Sequence, residues 1–201
     1  MTKTAYSFAR IKTAVASAFA GLLLAGCALP QAGTVVTSPF FSSYDVSMVG
    51  AAGGGGGLLV ETFGNPFEAP KAEVARTVAK HMEGANAGPA VPFVSEKPEG
   101  VSPLYRLRVG LNAGISAEGL CRAEGPGQEA AQQSAGAQRI DAVMAFCSGE
   151  KRISSVRGHA NGITGPEDPT LRSLLRIMTG EILPQRDPNR IGNGDGDGDF
   201  E

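Results

Sequence analysis

Tyr105-Arg106-Leu107-Arg108-Val109-Gly110-Leu111 alternates large apolar residues with arginine or glycine. In an extended chain this period of two puts Tyr105, Leu107, Val109 and Leu111 on one face and Arg106 and Arg108 on the other. The pattern is that of a half-buried strand, with one face on a core and the arginines facing away from it.

Reading outward, Ile140–Cys147 is a second, buried strand. Ser148-Gly149-Glu150-Lys151 turns it into Arg152–Gly158, giving a hairpin. A helix follows, with Asp168 as its cap, Pro169 in its first position and Pro184 as its stop. Leu171, Leu174, Leu175, Met178 and Ile182 form its apolar stripe, and Arg172 and Arg176 face away. Upstream, Val74, Val78 and Met82 recur along one face of a helix expected from Pro70 to Glu83, with His81 in its last turn as a surface or capping residue. Gly64-Asn65-Pro66-Phe67 is the turn before it, and Phe67 reads as an exposed docking residue or, more commonly in such a turn, a plug at the sheet edge. Leu58–Phe63 reads as a strand, Gly50–Gly57 as a flexible hairpin or loop, and the alternation around Tyr44, Val46 and Met48 as a short strand. Ala85–Pro103 is mostly loop, with a short strand at Val91–Val94, and Ala113–Arg139 is a long excursion. The sum is an α+β fold: a single domain over 44–186, its sheet mainly antiparallel, with two helices packed on one face. Residues 187–201 read as a disordered acidic Gly/Asp tail.

The N-terminal end has a different character. Lys3, Arg10 and Lys12 precede an apolar run from Thr13 to Leu24, and Leu24-Ala25-Gly26-Cys27 closes it. A basic start, a short apolar core and small residues before a cut describe an export signal over 1–26. The run is too short to span a hydrocarbon core, which takes about 20 apolar residues. Residues 27–43, interrupted by Pro30 and Pro39, read as a flexible tether.

Composition narrows the function classes. The whole chain carries 18 basic and 20 acidic residues, a net charge of −2. Without the three basic residues of the leader, 15 remain against 20, a net of −5. A mildly acidic chain without a basic tail is a poor nucleic-acid binder. Trp is absent, Gly numbers 28 and charged residues make up 19%, which suits a compact domain joined to loose Gly-rich segments.

Three cysteines are present. With Cys27 set aside, Cys121 and Cys147 form an even pair, read as a disulfide in an oxidising compartment. They are too far apart for a C-x-x-C redox motif, and no nearby Cys or His completes a zinc set.

Catalytic and metal signals are weak. The Gly50–Gly57 run lacks the Lys-Ser/Thr of a phosphate loop, and a strand rather than a helix follows it. Asn193-Gly194-Asp195-Gly196-Asp197-Gly198 matches half of a calcium loop but lacks its bidentate Glu. His81 and His159 are the only imidazoles, and no serine sits in a G-x-S-x-G elbow. No catalytic residue, metal ligand or cofactor is assigned. Arg106 and Arg108, joined by Arg152 or Arg157, make a candidate contact for an anionic partner. The bland alternative is a solvated face or pairing with Asp141.

Leu24-Ala25-Gly26-Cys27 resembles the lipobox of bacterial lipoproteins. That resemblance implies a diacylglycerol on the Cys27 thiol, cleavage before it and acylation of the freed amine. It also implies retention at the outer membrane, because Ala28 stands where an Asp commonly holds such proteins at the inner one. Together with Gly64-Asn65-Pro66-Phe67, Tyr105–Val109 and Ala145-Phe146-Cys147, the chain resembles a family of uncharacterised Gram-negative, proteobacterial lipoproteins. The order of its elements is also similar to small periplasmic domains of the TolB N-terminal type. Neither resemblance carries a catalytic residue. The expectation is a non-enzymatic binding or assembly module, lipid-anchored and facing the periplasm, with an envelope protein or anionic lipid as partner. A periplasmic hydrolase is the alternative.

Overall fold

The computed structural model describes residues 34–54, 56–97, 104–126, 139–186 and 188. The strands are β1 (Val35–Val36), β2 (Phe40–Phe41), β3 (Leu58–Phe63), β4 (Phe93–Val94), β5 (Tyr105–Leu111), β6 (Arg139–Ser148) and β7 (Lys151–Asn161). The helices are α1 (Val46–Gly53), α2 (Lys71–Met82), α3 (Ala117–Arg122) and α4 (Pro169–Ile182). The strands form one sheet in the order β1-β7-β6-β5-β3-β4, with β2 also on β7. β5, β6 and β7 run antiparallel, as do β1 and β2 on β7, while β3 is parallel to β5 and β4.

This is the single α+β domain with a mainly antiparallel sheet that the residue pattern predicts. Among the described residues four helices pack on it rather than two. α1, α2 and α4 cover one face, and α3 covers part of the other. The strand periodicity explains the split. Leu107, Val109 and Leu111 of β5 and Ile140, Ala142, Met144 and Phe146 of β6 point into the larger core. There they meet Val74, Val78 and Met82 of α2 and the Leu171–Ile182 stripe of α4. Full burial of each Val, Leu, Ile, Met or Phe among them contributes about 1.5–3 kcal/mol. Between Phe146 and Cys147 the register of β6 against β7 shifts by one residue, leaving Ile153 as a bulge. Ser154 beside it is buried and donates to the Ile182 carbonyl at 2.8 Å, tying β7 to the end of α4.

The local signals for α4 operate as expected. Asp168 Oδ1 accepts from the Thr170 amide at 2.8 Å, and Oδ2 from the Thr164 amide at 3.0 Å. α2 starts after Pro70 and ends at Met82, within a residue of its expected ends.

Three readings require correction. The stretch around Val46 is a helix, not a strand. Asp45 is extended and its carboxylate accepts the Ser47 amide at 2.8 Å, which caps α1. The small residues at the end of α1 allow close packing: a Cβ on Gly53 would overlap Val91. The glycine run is therefore helical as far as Gly53, and the turn comes after it. Finally, residues 35–41 are not part of a free tether, because β1 and β2 hydrogen-bond to β7. Two-residue strands leave no measurable alternation, so the sequence carried no sign of them.

Candidate functional site: the arginine pair beneath α3

β5 turns Arg106 and Arg108 away from the larger core, and β3 lies beside it in parallel register. Glu61 stands opposite Arg108, and Leu59 opposite Arg106. Arg108 Nε donates to Glu61 Oε2 at 2.6 Å, and Arg106 Nη1 lies 3.7 Å from the same oxygen. Arg108 Nη1 also donates to the Leu120 and Ala123 carbonyls, at the C-terminal end of α3. Its guanidinium lies 5.4 Å from the centroid of the Phe63 ring. Arg108 is 0% exposed. Burial lowers the proton affinity of its guanidinium, and the Glu61 carboxylate opposes that shift. A guanidinium remains charged in either case.

The arrangement is a clamp. One cation neutralises a carboxylate on β3 and donates to two carbonyls at the end of a helix, where the Leu120 carbonyl also accepts the Ala123 amide at 3.3 Å. Cys121 on α3 is joined to Cys147 on β6, with a Cα–Cα distance of 5.6 Å and both residues buried. Ion pair, carbonyl bonds and disulfide together hold α3 against the sheet over a small core of Phe63, Leu120 and Ala145.

This overturns the expected partner contact at Arg106 and Arg108. Arg108 is wholly internal. Arg106 is half-buried, facing Glu61 and lying within 3.4 Å of the Gly149 carbonyl. Neither pairs with Asp141, which takes Arg139 at 2.9 Å instead. The physical reason is α3 itself: six residues rich in small side chains gave no periodic signal, yet they cover the face that the alternation left open. Ser116 caps this helix through the Gly119 amide at 3.0 Å, and that Ser was the one local sign of it.

The expected disulfide pair is brought together. Cys27 and the Asn193–Gly198 run lie outside the described residues, as do Gly127–Gln138 and Asp187. Arg152 and Arg157, the other half of the expected strip, project from β7 on the same face. Arg152 Nη2 is 2.6 Å from Glu118 Oε1, and its guanidinium stacks 3.7 Å from the centroid of the Phe40 ring. Arg157 is exposed and lines a cleft of about 380 Å³ with Asp141, Asn112 and Ser116.

His81 is not the surface or capping residue expected, because its ring bonds the loop before α4 and Arg172 rather than the end of α2. It is 2% exposed between α2 and the loop before α4. Its Nε2 is 2.9 Å from the Pro166 carbonyl, and Arg172 Nε donates to its Nδ1 at 3.3 Å. That pattern requires a neutral ring with the proton on Nε2. Burial pushes its pKa below the ordinary value, against the Pro166 bond, and cationic Arg172 and Lys80 add to the depression while Glu167 opposes it. His159 faces Asp141 across the β6–β7 pair. Phe67 packs against the larger core, and Asn65 shapes its turn by accepting the Phe67 amide at 3.1 Å and donating to the Ala69 carbonyl at 2.7 Å. Among the described residues no three His, Cys, Asp or Glu side chains cluster as a metal site. Nor, among them, is any helix long and apolar enough to cross a membrane.

No protein-family model and no curated protein matches the chain. Among solved structures, it is similar to the PelC dodecamer from Paraburkholderia phytofirmans, at 11% identity and a TM-score of 0.40. The match covers 75% of this chain and 97% of that one. A point variant of the same dodecamer in another crystal form gives the same figures.

Proposed function

We propose that the chain is a lipid-anchored envelope protein, a non-enzymatic binding or assembly module held through Cys27 at the periplasmic face of the outer membrane. The observation that carries this reading is the buried Cys121–Cys147 bond. Disulfides form and persist in oxidising compartments and are rare in reducing ones, so a cross-link built into a packed helix supports export. The basic-apolar leader ending in Leu24-Ala25-Gly26-Cys27 supplies the route and the attachment point. Two or more acyl chains give stable anchoring where one is marginal. The likeness of the lipobox and the Gly64-Asn65-Pro66-Phe67 turn to those of Gram-negative lipoproteins points the same way.

Binding rather than catalysis is favoured by how the charged groups are used. Glu61 and Arg108 are engaged in holding α3, and both ring nitrogens of His81 are engaged between helices. The test is metabolic labelling with an alkynyl fatty acid in a Gram-negative host carrying the full chain. The wild type takes up label and sediments with the outer membrane, and Cys27→Ser yields an unlabelled periplasmic protein. An unlabelled wild type that stays in the aqueous phase of a detergent partition overturns the anchor. Turnover of an ester or peptide panel by the purified protein overturns the non-enzymatic reading in favour of a hydrolase.

A further inference from the structure

We infer that the sheet edge formed by β1, β2 and β7 is the membrane-facing surface of the domain, and that Val35, Phe40 and Arg157 dock there on anionic phospholipid headgroups. The inference rests on lipidation at Cys27.

Chain length supplies the first argument. Residues 35–36 are paired with β7, so the chain enters the fold eight residues after Cys27. Eight residues span at most about 28 Å when fully extended. An acylated Cys27 sits at the headgroup boundary, so this edge is held within that distance of the bilayer. A tether running freely to residue 43 would have doubled the reach and left the domain free to turn.

The second argument is the chemistry of the edge. In the pairing with β7, Val35 stands opposite His159 and Phe40 opposite Ser155. Arg157 falls between those two positions and, by the period of two, on the same face. Val35 is 48% exposed and Phe40 43%, and both are among the exposed large apolar residues of the domain. Arg157 is exposed beside them. The Phe40 ring is held by the Arg152 guanidinium stacked on it, and Glu118 neutralises that cation. Asp141, which lines a cleft with Arg157, is neutralised by Arg139. An aromatic and an aliphatic side chain flanking a cation suit a lipid interface, where apolar groups enter the acyl boundary and the cation meets phosphate.

The third argument is global charge. The mature chain carries −5, so an anionic surface repels most of the molecule. Repulsion elsewhere strengthens the preference for the edge that presents a cation.

The chain has no Trp, so F40W provides a single fluorescent reporter at the edge. Acylated protein is reconstituted into phosphatidylethanolamine vesicles containing about a third phosphatidylglycerol, with acyl chains brominated as quencher. The F40W reporter shifts to the blue and is quenched. I177W, on the exposed side of α4, stays unquenched. Adding R157Q lowers the docked-to-undocked ratio of the F40W protein about fivefold, the loss of one cation near an anionic surface. V35W repeats the measurement independently of any change in packing at Phe40. Intact mass reads the acyl adduct on the same samples. An acylated chain whose reporters at 35 and 40 stay water-exposed, or crosslink in cells to a protein instead of lipid, overturns this inference alone. A chain without acyl mass overturns the anchor and this inference together.

Discussion

Replacing Arg108 by Met removes the cation of the α3 clamp while keeping most of its apolar volume. The structure sets the size of the effect. Glu61, whose side chain is 16% exposed, loses a partner at 2.6 Å and keeps only Arg106 at 3.7 Å. The Leu120 and Ala123 carbonyls lose their guanidinium donor. Removing one member of a buried ion pair costs about 3–5 kcal/mol, and domains of this kind have only about 5–15 kcal/mol in total. Glu61→Gln leaves the buried guanidinium without a counter-charge and costs a similar amount. The double variant removes both charges, so its cost falls short of the sum by about 1–3 kcal/mol. Urea unfolding followed by far-UV circular dichroism, with the disulfide oxidised, gives all four corners of the cycle. R108M costing under about 1 kcal/mol, the range of an exposed pair, or strict additivity in the cycle, refutes the claim that this pair is internal and coupled.

Three further perturbations probe other parts of the fold. The Cys121–Cys147 bridge spans a sequence separation of 26, for which the chain-entropy relation gives about 3.5 kcal/mol; reduction or C121S/C147S lowers the urea midpoint accordingly, and two thiols alkylatable before reduction would disprove the bond. Gly158→Ala puts a methyl 2.9 Å from Leu174 Cδ1 and 3.1 Å from the Val35 carbonyl, so a loss of about 1–3 kcal/mol in thermal unfolding is expected from overpacking, and a neutral result argues against close seating of α4 and β1 on β7. Because the folded-state pKa of His81 is depressed, the unfolded chain binds its proton first as pH falls below about 6.5. Stability is therefore intact above that value and declines through the mildly acid range, while His81→Gln, which retains a donor for the Pro166 carbonyl, flattens the decline; an unchanged slope removes His81 as its source.

The long regular elements were legible because each carries its own period. Leu107, Val109 and Leu111 alternate, and Leu171 to Ile182 recur at helical spacing, so β5 and α4 declare their buried faces without reference to the rest of the chain. The Cys121–Cys147 bond was legible from counting, since the two cysteines left once Cys27 is set aside make an even pair. The short elements were not. α3 has six residues, and β1 and β2 two each; segments so short complete no period and are stabilised by what they pack against. α1 was misread because Tyr44 to Val49 alternates by chance, while the deciding contact is a single Asp45 cap.

The candidate site divides along the same line. Residue order alone indicated that Arg106 and Arg108 share a face, that this face is not the main core, and that Cys121 and Cys147 form a pair. Tertiary structure decided that the face is closed. Glu61 reaches Arg108 because a strand far away in sequence lies parallel to β5, and α3 is held over both by a bond to β6. Alternation reports which side of a strand a residue occupies; whether that side meets water, a carboxylate or a helix depends on contacts between segments that are remote along the chain.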